Sequence, residues 1–252
     1  MAERYVGVVL DLDGVCYLGD EPIAGAPGAV AALRDAGLGV VFASNNSTRT
    51  PATMAERLSQ MGIPADEDEI VSSALAGAEL LEPGTVCLVV GMEGLHAALE
   101  ARGCDITDDP DEAEALVVGL DKELTYETLA RAAVALQRGA RFVATNDDRS
   151  FPVADGVWPG TGAILAALTA TTGLEPETAG KPHATLFEAA ARRLPDGPLL
   201  MVGDRVETDL VGAADCGWDT LLLLSGVTTA DDIERDDPPS TYLLDSLADL
   251  TR

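Results

Sequence analysis

The chain has 252 residues, 47% of them hydrophobic and 23% charged, which are proportions typical of a globular protein in water. With 43 acidic against 16 basic residues its net charge is −27, which argues against nucleic acid and anionic membranes as partners. No apolar run approaches the roughly 20 residues that span a bilayer, and the opening MAERYVGVVL lacks the features of a signal peptide, so we expect a cytoplasmic protein.

Short apolar runs alternate with helical patterns along the chain, which predicts parallel strands joined by crossover helices. In the first third the predicted strands are residues 5–10 and 39–43, and the predicted helices are residues 28–36 and 50–61. The pattern restarts near residues 82–84, with strands Val86–Val90, 115–119 and Arg141–Ala144 and helices 96–102, Tyr126–Gln137 and 160–171. After a Gly-Lys-Pro turn come helix 184–194, strand 198–202, helix 209–216, strand 220–224, a surface loop at 231–239, strand Tyr242–Leu244 and a terminal helix.

This order of elements predicts an α/β protein in which one domain interrupts another. Residues 1–80 and 181–252 are expected to form a Rossmann-like core with a parallel sheet. Residues 81–180 are expected to form an inserted α/β domain, and about a hundred residues is an ordinary domain length.

Polar residues follow three predicted strands of the core. Asp11, Ser44 and Asp204 each come directly after an apolar run. In open parallel α/β sheets ligands bind outside the carboxyl ends of the strands, so these side chains should converge at one edge. Lys181, one of only two lysines in the chain, lies at the domain junction and could neutralise a phosphoryl group or the nucleophile that attacks it.

Carboxylates would crowd this edge of the sheet. Asp11, Asp13, Asp204 and Asp209 in one crevice would repel one another unless a cation were bound. Oxygen ligands with no histidine nearby favour a hard divalent ion, and we expect Mg²⁺. A Mg²⁺ site with few protein ligands leaves positions for the oxygens of a substrate phosphate.

Each of these motifs also has a simpler interpretation on its own. Asp11 and Asp13 could cap a helix, and so could Asp209. Ser44 and the two asparagines after it could form a polar turn that follows a strand. These readings stay open for single motifs, whereas the order of all the motifs along the chain is more specific.

That order resembles the haloacid dehalogenase-like phosphatase superfamily. The four motifs are DLDGV at residues 11–15, SNNS at 44–47, GKP at 180–182 and GDRVETD at 203–209. The middle segment contains VVGMEGL, VVGLDKELTYETLARA, ATNDD and PGTGAI, and it is similar to the large α/β cap (type C2A) of subclass IIA. That branch contains the NagD-like sugar phosphatases and 4-nitrophenyl phosphatases.

The resemblance implies a catalytic role for several matching residues. Asp11 would be the nucleophile that forms an aspartyl-phosphate. Asp13 would protonate the leaving alcohol and then activate water. Ser44 and main-chain groups at Asn45 would bind the phosphoryl oxygens, and Lys181 would offset the negative charge.

The resemblance also implies a metal site. Mg²⁺ would be held by the carboxylates of Asp11 and Asp204 and by the main-chain carbonyl of Asp13. Asp209 would lie outside the ligand set and orient Lys181 or a metal-bound water. Gly14 would let the chain turn closely beneath the substrate.

The implied activity is Mg²⁺-dependent hydrolysis of a small phosphorylated metabolite, such as a sugar phosphate, under a cap that excludes large substrates. In the cap, Asn146 and Asp147 fall where a substrate-contacting loop is expected, although a simple Asn-Asp turn would explain them equally. A phosphotransferase or mutase of the same superfamily and a phospho-aspartate signalling acceptor remain alternatives. A homodimer formed through the cap also remains open.

The acidic excess is spread along the whole chain, which favours adaptation to high internal salt, as in a halophile. Because salt shortens the reach of repulsion among acidic side chains, we expect the melting temperature to rise with KCl concentration. Thermal unfolding followed from low salt to molar KCl would measure this. A protein equally stable without salt would contradict the hypothesis.

Overall fold

The computed structural model describes residues 3–153, 156–236 and 240–251. Its strands, in chain order, are β1 Gly7–Leu10, β2 Tyr17–Leu18, β3 Glu21–Pro22, β4 Gly39–Ser44, β5 Ile70–Ser72, β6 Val86–Val90, β7 Asp105–Thr107, β8 Ala115–Val118, β9 Arg141–Ala144, β10 Ser150–Val153, β11 Gly156–Pro159, β12 Glu177–Thr178, β13 Leu199–Gly203, β14 Asp219–Leu223 and β15 Tyr242–Leu244. Its α-helices are α1 Ala26–Asp35, α2 Pro51–Gln60, α3 Ser73–Glu79, α4 Glu93–Arg102, α5 Tyr126–Gln137, α6 Thr161–Thr172, α7 Ala184–Ala191, α8 Val211–Asp215 and α9 Ala230–Asp236.

Other helical turns complete the described ranges. Glu67–Glu69 and Leu247–Thr251 are 3₁₀ segments, and Val206–Leu210 forms a π-helical turn directly before α8. None of the helices within the described ranges is both long and apolar enough to cross a membrane.

The chain divides into two compact units. The first contains Met1–Ser44, Pro51–Val71 and Lys181–Arg252, and the second contains Asn45–Thr50 and Ser72–Gly180. The second unit therefore begins before residue 81, the boundary expected from the sequence. The physical reason is that Ala74 and Ala78 of α3 pack in the same apolar cluster as residues of α4, β6 and β8.

The first unit is built around a six-stranded sheet with the order β15-β14-β13-β1-β4-β5. From β15 through β4 the neighbouring strands are parallel. Every residue of the central strand β1 is buried, as expected when helices cover both faces of a parallel sheet. The Rossmann-like core expected from the apolar runs is confirmed.

The second unit has its own parallel sheet, with the order β12-β9-β8-β6-β7. Alternate residues of β8 enter different apolar clusters: Leu116 and Val118 pack with residues of α5 and α6, whereas Ala115 and Val117 pack with residues of α3 and α4. The period of two along the strand thus buries both faces of this sheet. Strands β10 and β11 form a separate antiparallel ribbon.

Some elements differ from those predicted. The hairpin β2–β3, the strands β5, β7, β10, β11 and β12 and the helix α3 were not predicted, because elements this short carry little periodic signal. The predicted loop at 231–239 was wrong over residues 231–236, which belong to helix α9. The main-chain amide and hydroxyl of Thr229 donate to the Asp232 carboxylate at 3.0 and 2.6 Å, which stabilises the first turn. Residues 237–239 lie outside the described ranges, and the predicted terminal helix is the 3₁₀ segment Leu247–Thr251.

We expect Leu116→Ala to lower the free energy of unfolding by about 2–5 kcal/mol, because Leu116 is fully buried on the central strand of the second sheet. Ile106→Ala, on the edge strand β7 where Ile106 is 38% exposed, should cost much less. Urea unfolding would measure both variants, and equal losses would contradict the packing described for Leu116.

Candidate active site

A buried ion cluster lies at the carboxyl ends of the strands in the first unit. The Lys181 ammonium is 2.5 Å from Oδ1 of Asp11 and 2.7 Å from Oδ1 of Asp209. It also donates to the main-chain oxygen of Ala43 at 3.2 Å. Lys181 is 2% exposed, so this positive charge is held almost entirely by protein groups.

The parallel sheet explains why residues so distant in sequence meet here. The main-chain amide of Asp11 donates to Val202 at 2.9 Å, which continues the pairing of β1 with β13 one residue beyond the strand. Asp204 directly follows β13, and the buried Ser44 is the last residue of β4 on the other side of β1. The structure therefore brings together the three strand ends that the sequence singled out.

Asp204 is held tightly but is incompletely hydrogen-bonded. Its Oδ2 accepts from the main-chain amide of Val227 at 2.6 Å, whereas its buried Oδ1 has no hydrogen-bond partner in the part of the chain that the structure describes. Gly14, at φ +86°, and Gly226 both lie against this carboxylate, and a Cβ at either position would overlap it. A larger residue at either position would therefore displace the carboxylate.

The cluster fits a hard divalent cation. Carboxylate oxygens of Asp11, Asp204 and Asp209 lie within 4.8 Å of one another. Three carboxylates face the single ammonium of Lys181, so a divalent ion would balance the remaining charge. The unpartnered Oδ1 of Asp204 and the oxygen-only donor set suit Mg²⁺. The Asp13 carboxylate is not in this group, and only its main-chain carbonyl was expected to bind the metal.

The protonation of the cluster follows from burial and from its charges. Burial raises the pKa of the Asp11 carboxyl well above its usual value, and the Lys181 ammonium opposes that rise. Burial and the neighbouring Asp209 raise the pKa of Asp204 to about 6, although its bond from Val227 acts the other way. Burial alone would lower the pKa of Lys181, but Asp11 and Asp209 outweigh it and raise the pKa. Lys181 therefore keeps its proton.

Asp13 occupies a different environment from Asp11. Although solvent reaches it, desolvation raises the pKa of its carboxyl, and the positive charges of Arg57 and Arg205 oppose that rise. The Tyr17 hydroxyl lies 3.5 Å from Oδ2 of Asp13, and the Arg57 guanidinium lies over the Tyr17 ring, 4.5 Å from its centroid. Sequence reasoning missed Tyr17 and Arg57, since neither belongs to a motif and no regular spacing connects them to Asp13.

The remaining predicted site residues lie in the second unit. The main-chain oxygen of Asn45 accepts from Nδ2 of Asn146 at 2.9 Å and from the Ser73 hydroxyl at 2.7 Å. Asn146 is buried, whereas its neighbour Asp147 is exposed. The structure therefore brings Asn45 and Asn146 together, and sequence reasoning missed Ser73, which no motif marks.

Comparison with known proteins places this site in a family. Residues 8–105 match the family described as haloacid dehalogenase-like hydrolase, and residues 178–250 match a second one described as HAD-hydrolase-like. The chain is 36% identical to an acid sugar phosphatase of Staphylococcus saprophyticus, over 99% of this chain and 98% of that protein. It is 37% identical to the 5'-nucleotidase YutF of Bacillus subtilis, with 98% of both covered.

A solved structure supports the same family assignment. The fold is similar to that of a glycerol phosphate phosphatase from Mycobacterium tuberculosis in complex with magnesium, with a TM-score of 0.91 and 35% identity over 99% of this chain and 77% of that one. The chain belongs to the haloacid dehalogenase-like hydrolase family. Within that family it is an enzyme of the NagD-like phosphatase branch, subclass IIA, so the resemblance drawn from its motifs is confirmed.

We expect Gly226→Ala to weaken Mg²⁺ binding about 10–100-fold, because a Cβ would displace the Asp204 carboxylate. Added Mg²⁺ should then raise the melting temperature of the wild type more than that of the variant. Gly28→Ala is the matched control, since a Cβ there meets nothing within 4 Å. An equal Mg²⁺ effect in all three proteins would contradict this account of the site.

Proposed function

We propose that this hydrolase is a Mg²⁺-dependent phosphomonoesterase that acts on a small phosphorylated metabolite. The observation that carries the proposal is the buried Lys181 ammonium between Asp11 and Asp209, beside the unpartnered oxygen of Asp204. This arrangement offers one fixed positive charge and room for a divalent cation. Both features stabilise the negative charge of a phosphoryl group during transfer.

Asp11 is the proposed nucleophile. One carboxylate oxygen attacks phosphorus, the ester bond to the leaving alcohol breaks, and an aspartyl-phosphate forms. Lys181 remains protonated beside Asp11 and offsets the charge that gathers on the phosphoryl oxygens. Asp209 holds Lys181 in place from its other side.

Asp13 is the proposed general acid and base. Its raised pKa favours the protonated form that donates a proton to the departing alkoxide. The resulting carboxylate then takes a proton from the water that attacks phosphorus, which releases phosphate and restores Asp11. The different surroundings of Asp11 and Asp13 suit this division of roles.

The Asp11 and Asp204 carboxylates and the Asp13 main-chain carbonyl would hold Mg²⁺, which when bound supplies Lewis acidity toward a phosphoryl oxygen. The Ser44 hydroxyl and the main-chain amide of Asn45 are proposed to donate hydrogen bonds to the other phosphoryl oxygens. Gly14 and Gly226 keep the Asp204 carboxylate in place for this task.

The substrate is proposed as a class. The similar proteins are named for a sugar phosphate, a nucleotide and glycerol phosphate, which share a phosphate monoester on a small molecule. We assign the second unit as the cap domain, with the exposed Asp147 as a candidate substrate contact. A cytoplasmic location and a homodimer through the cap stay predictions.

We expect the protein to release phosphate from 4-nitrophenyl phosphate and from members of a metabolite panel when Mg²⁺ is present, and not in EDTA. Asp11→Asn should lower kcat by about 10³-fold or more, because an amide cannot replace the nucleophilic carboxylate. The assay is phosphate release in molar KCl, with the panel ranking the substrate classes.

Asp196→Asn is the matched control, since it makes the same chemical change at an exposed residue of the same unit. Its kcat should equal that of the wild type. Full activity in EDTA, or in Asp11→Asn, would overturn the proposal. A rearranged ester instead of free phosphate would favour a mutase, and a long-lived phospho-aspartate would favour a signalling acceptor.

A further inference from the structure

We propose that Asn146 and Ser73 are positioning residues, whose hydrogen bonds to the Asn45 carbonyl fix the main chain that leads out of Ser44. The inference rests on the proposed function, in which Ser44 and the amide of Asn45 bind the phosphoryl group. Asn146 would then act through Asn45 and would not itself touch the substrate.

The Asn45 carbonyl is held by two donors from separate parts of the second unit. Ser73, in the first turn of α3, donates from its hydroxyl at 2.7 Å, and Asn146, after β9, donates from Nδ2 at 2.9 Å. Ser73 is 0% and Asn146 3% exposed. A carbonyl oxygen has two lone pairs, and here both find a buried donor. The direction of this peptide group is therefore fixed from two sides.

The side chain of Asn146 is fully engaged within the protein. Besides its bond to Asn45, Nδ2 donates to the Thr145 hydroxyl at 3.1 Å. Its Oδ1 accepts from the main-chain amide of Asp148 at 3.2 Å. Both amide hydrogens and the carbonyl oxygen thus have protein partners, which leaves no donor for a substrate. A buried side chain whose hydrogen-bonding groups all have protein partners is typical of a positioning residue and not of a substrate contact.

The side chain of Asn45 is held as well. Its Nδ2 donates to Oδ2 of Asp148 at 3.2 Å, and Gly180 packs against it so closely that a Cβ there would lie 2.7 Å from Oδ1 of Asn45 and 3.0 Å from Cβ of Asn146. Gly180 is bonded to Lys181. The cluster around Asn146 thus contacts both the residue that follows Ser44 and the residue that precedes Lys181.

The rest of the loop after Asn45 is anchored by main-chain groups in the same unit. The amide of Leu120 donates to the Ser47 hydroxyl at 3.3 Å, and the amide of Gly94 donates to the Thr48 carbonyl at 3.2 Å. These bonds fix the far end of the loop and do not involve Asn45. The bonds with Ser73, Asn146 and Asp148 hold its near end.

Two neighbouring buried serines provide a matched test. Ser73→Ala removes a donor to Asn45, whereas Ser72→Ala removes the same atom from a residue that is also 0% exposed but caps α3 by accepting from the amide of Leu75. Asn146→Ala removes the second donor to Asn45. The readouts are KM and kcat with 4-nitrophenyl phosphate and the Kd of inorganic phosphate by calorimetry, all with Mg²⁺ present.

We expect Ser73→Ala and Asn146→Ala each to raise KM and the phosphate Kd about tenfold, because a displaced amide donor weakens binding of the phosphoryl group. Ser72→Ala should lower the melting temperature and leave KM and Kd unchanged. The double variant should lose more than the product of the two single effects, since the buried carbonyl then has no donor from either side chain.

Unchanged KM and Kd in both Ser73→Ala and Asn146→Ala would overturn the inference, and so would an equal rise in Ser72→Ala, which would indicate a general structural effect. If Asn146→Ala does not fold, the comparison of KM and phosphate Kd between Ser73→Ala and Ser72→Ala tests the inference. Failure of the proposed function is a separate result. A wild-type protein that binds phosphate but hydrolyses no ester would overturn the proposed activity. The comparison of phosphate Kd among the variants would still test the positioning role.

Discussion

The structure depends on one buried positive charge. An ammonium that is almost fully removed from water is stable only when anionic partners surround it, and Lys181 has Asp11 on one side and Asp209 on the other. These partners come from chain segments far apart in sequence, so the charge can be satisfied only when the parallel sheet has formed. The excess of carboxylates over the single ammonium then gives the site the charge that suits a divalent cation. Folding and chemistry therefore rely on the same contacts.

Close packing of glycines keeps this charge arrangement in one geometry. Gly14 and Gly226 confine the Asp204 carboxylate, and Gly203 lies so close to Asp209 that a Cβ there would overlap it. Asp209 is further held by the main-chain amide of Arg205, which donates to its Oδ2 at 3.1 Å. Each carboxylate is therefore held by a main-chain amide and lies against at least one glycine. The site is thus arranged before any substrate arrives, which is what electrostatic stabilisation of a transferring group requires.

Much of the fold and of the candidate site could be predicted because the carboxyl ends of parallel strands always lie at the same edge of the sheet. Asp11, Ser44 and Asp204 follow buried strands, so their convergence needs no knowledge of side-chain contacts. The boundary of the second unit could not be predicted, since no change in composition marks the step from Ser44 to Asn45. The inward direction of Asn146 was also hidden, because an Asn-Asp pair reads as an exposed turn until its neighbours are known.

The scarcity of lysine has a practical consequence for labelling this protein. Lys181 is 2% exposed and paired with two carboxylates, whereas Lys122 is exposed on the second unit. Because the chain contains no other lysine, a dye or surface that reacts with lysine side chains would attach at Lys122 and not at Lys181. Among its lysine side chains the protein therefore offers one natural attachment point for a fluorophore or a sensor surface, reached without mutagenesis and without consuming the amine at the centre of the ion cluster.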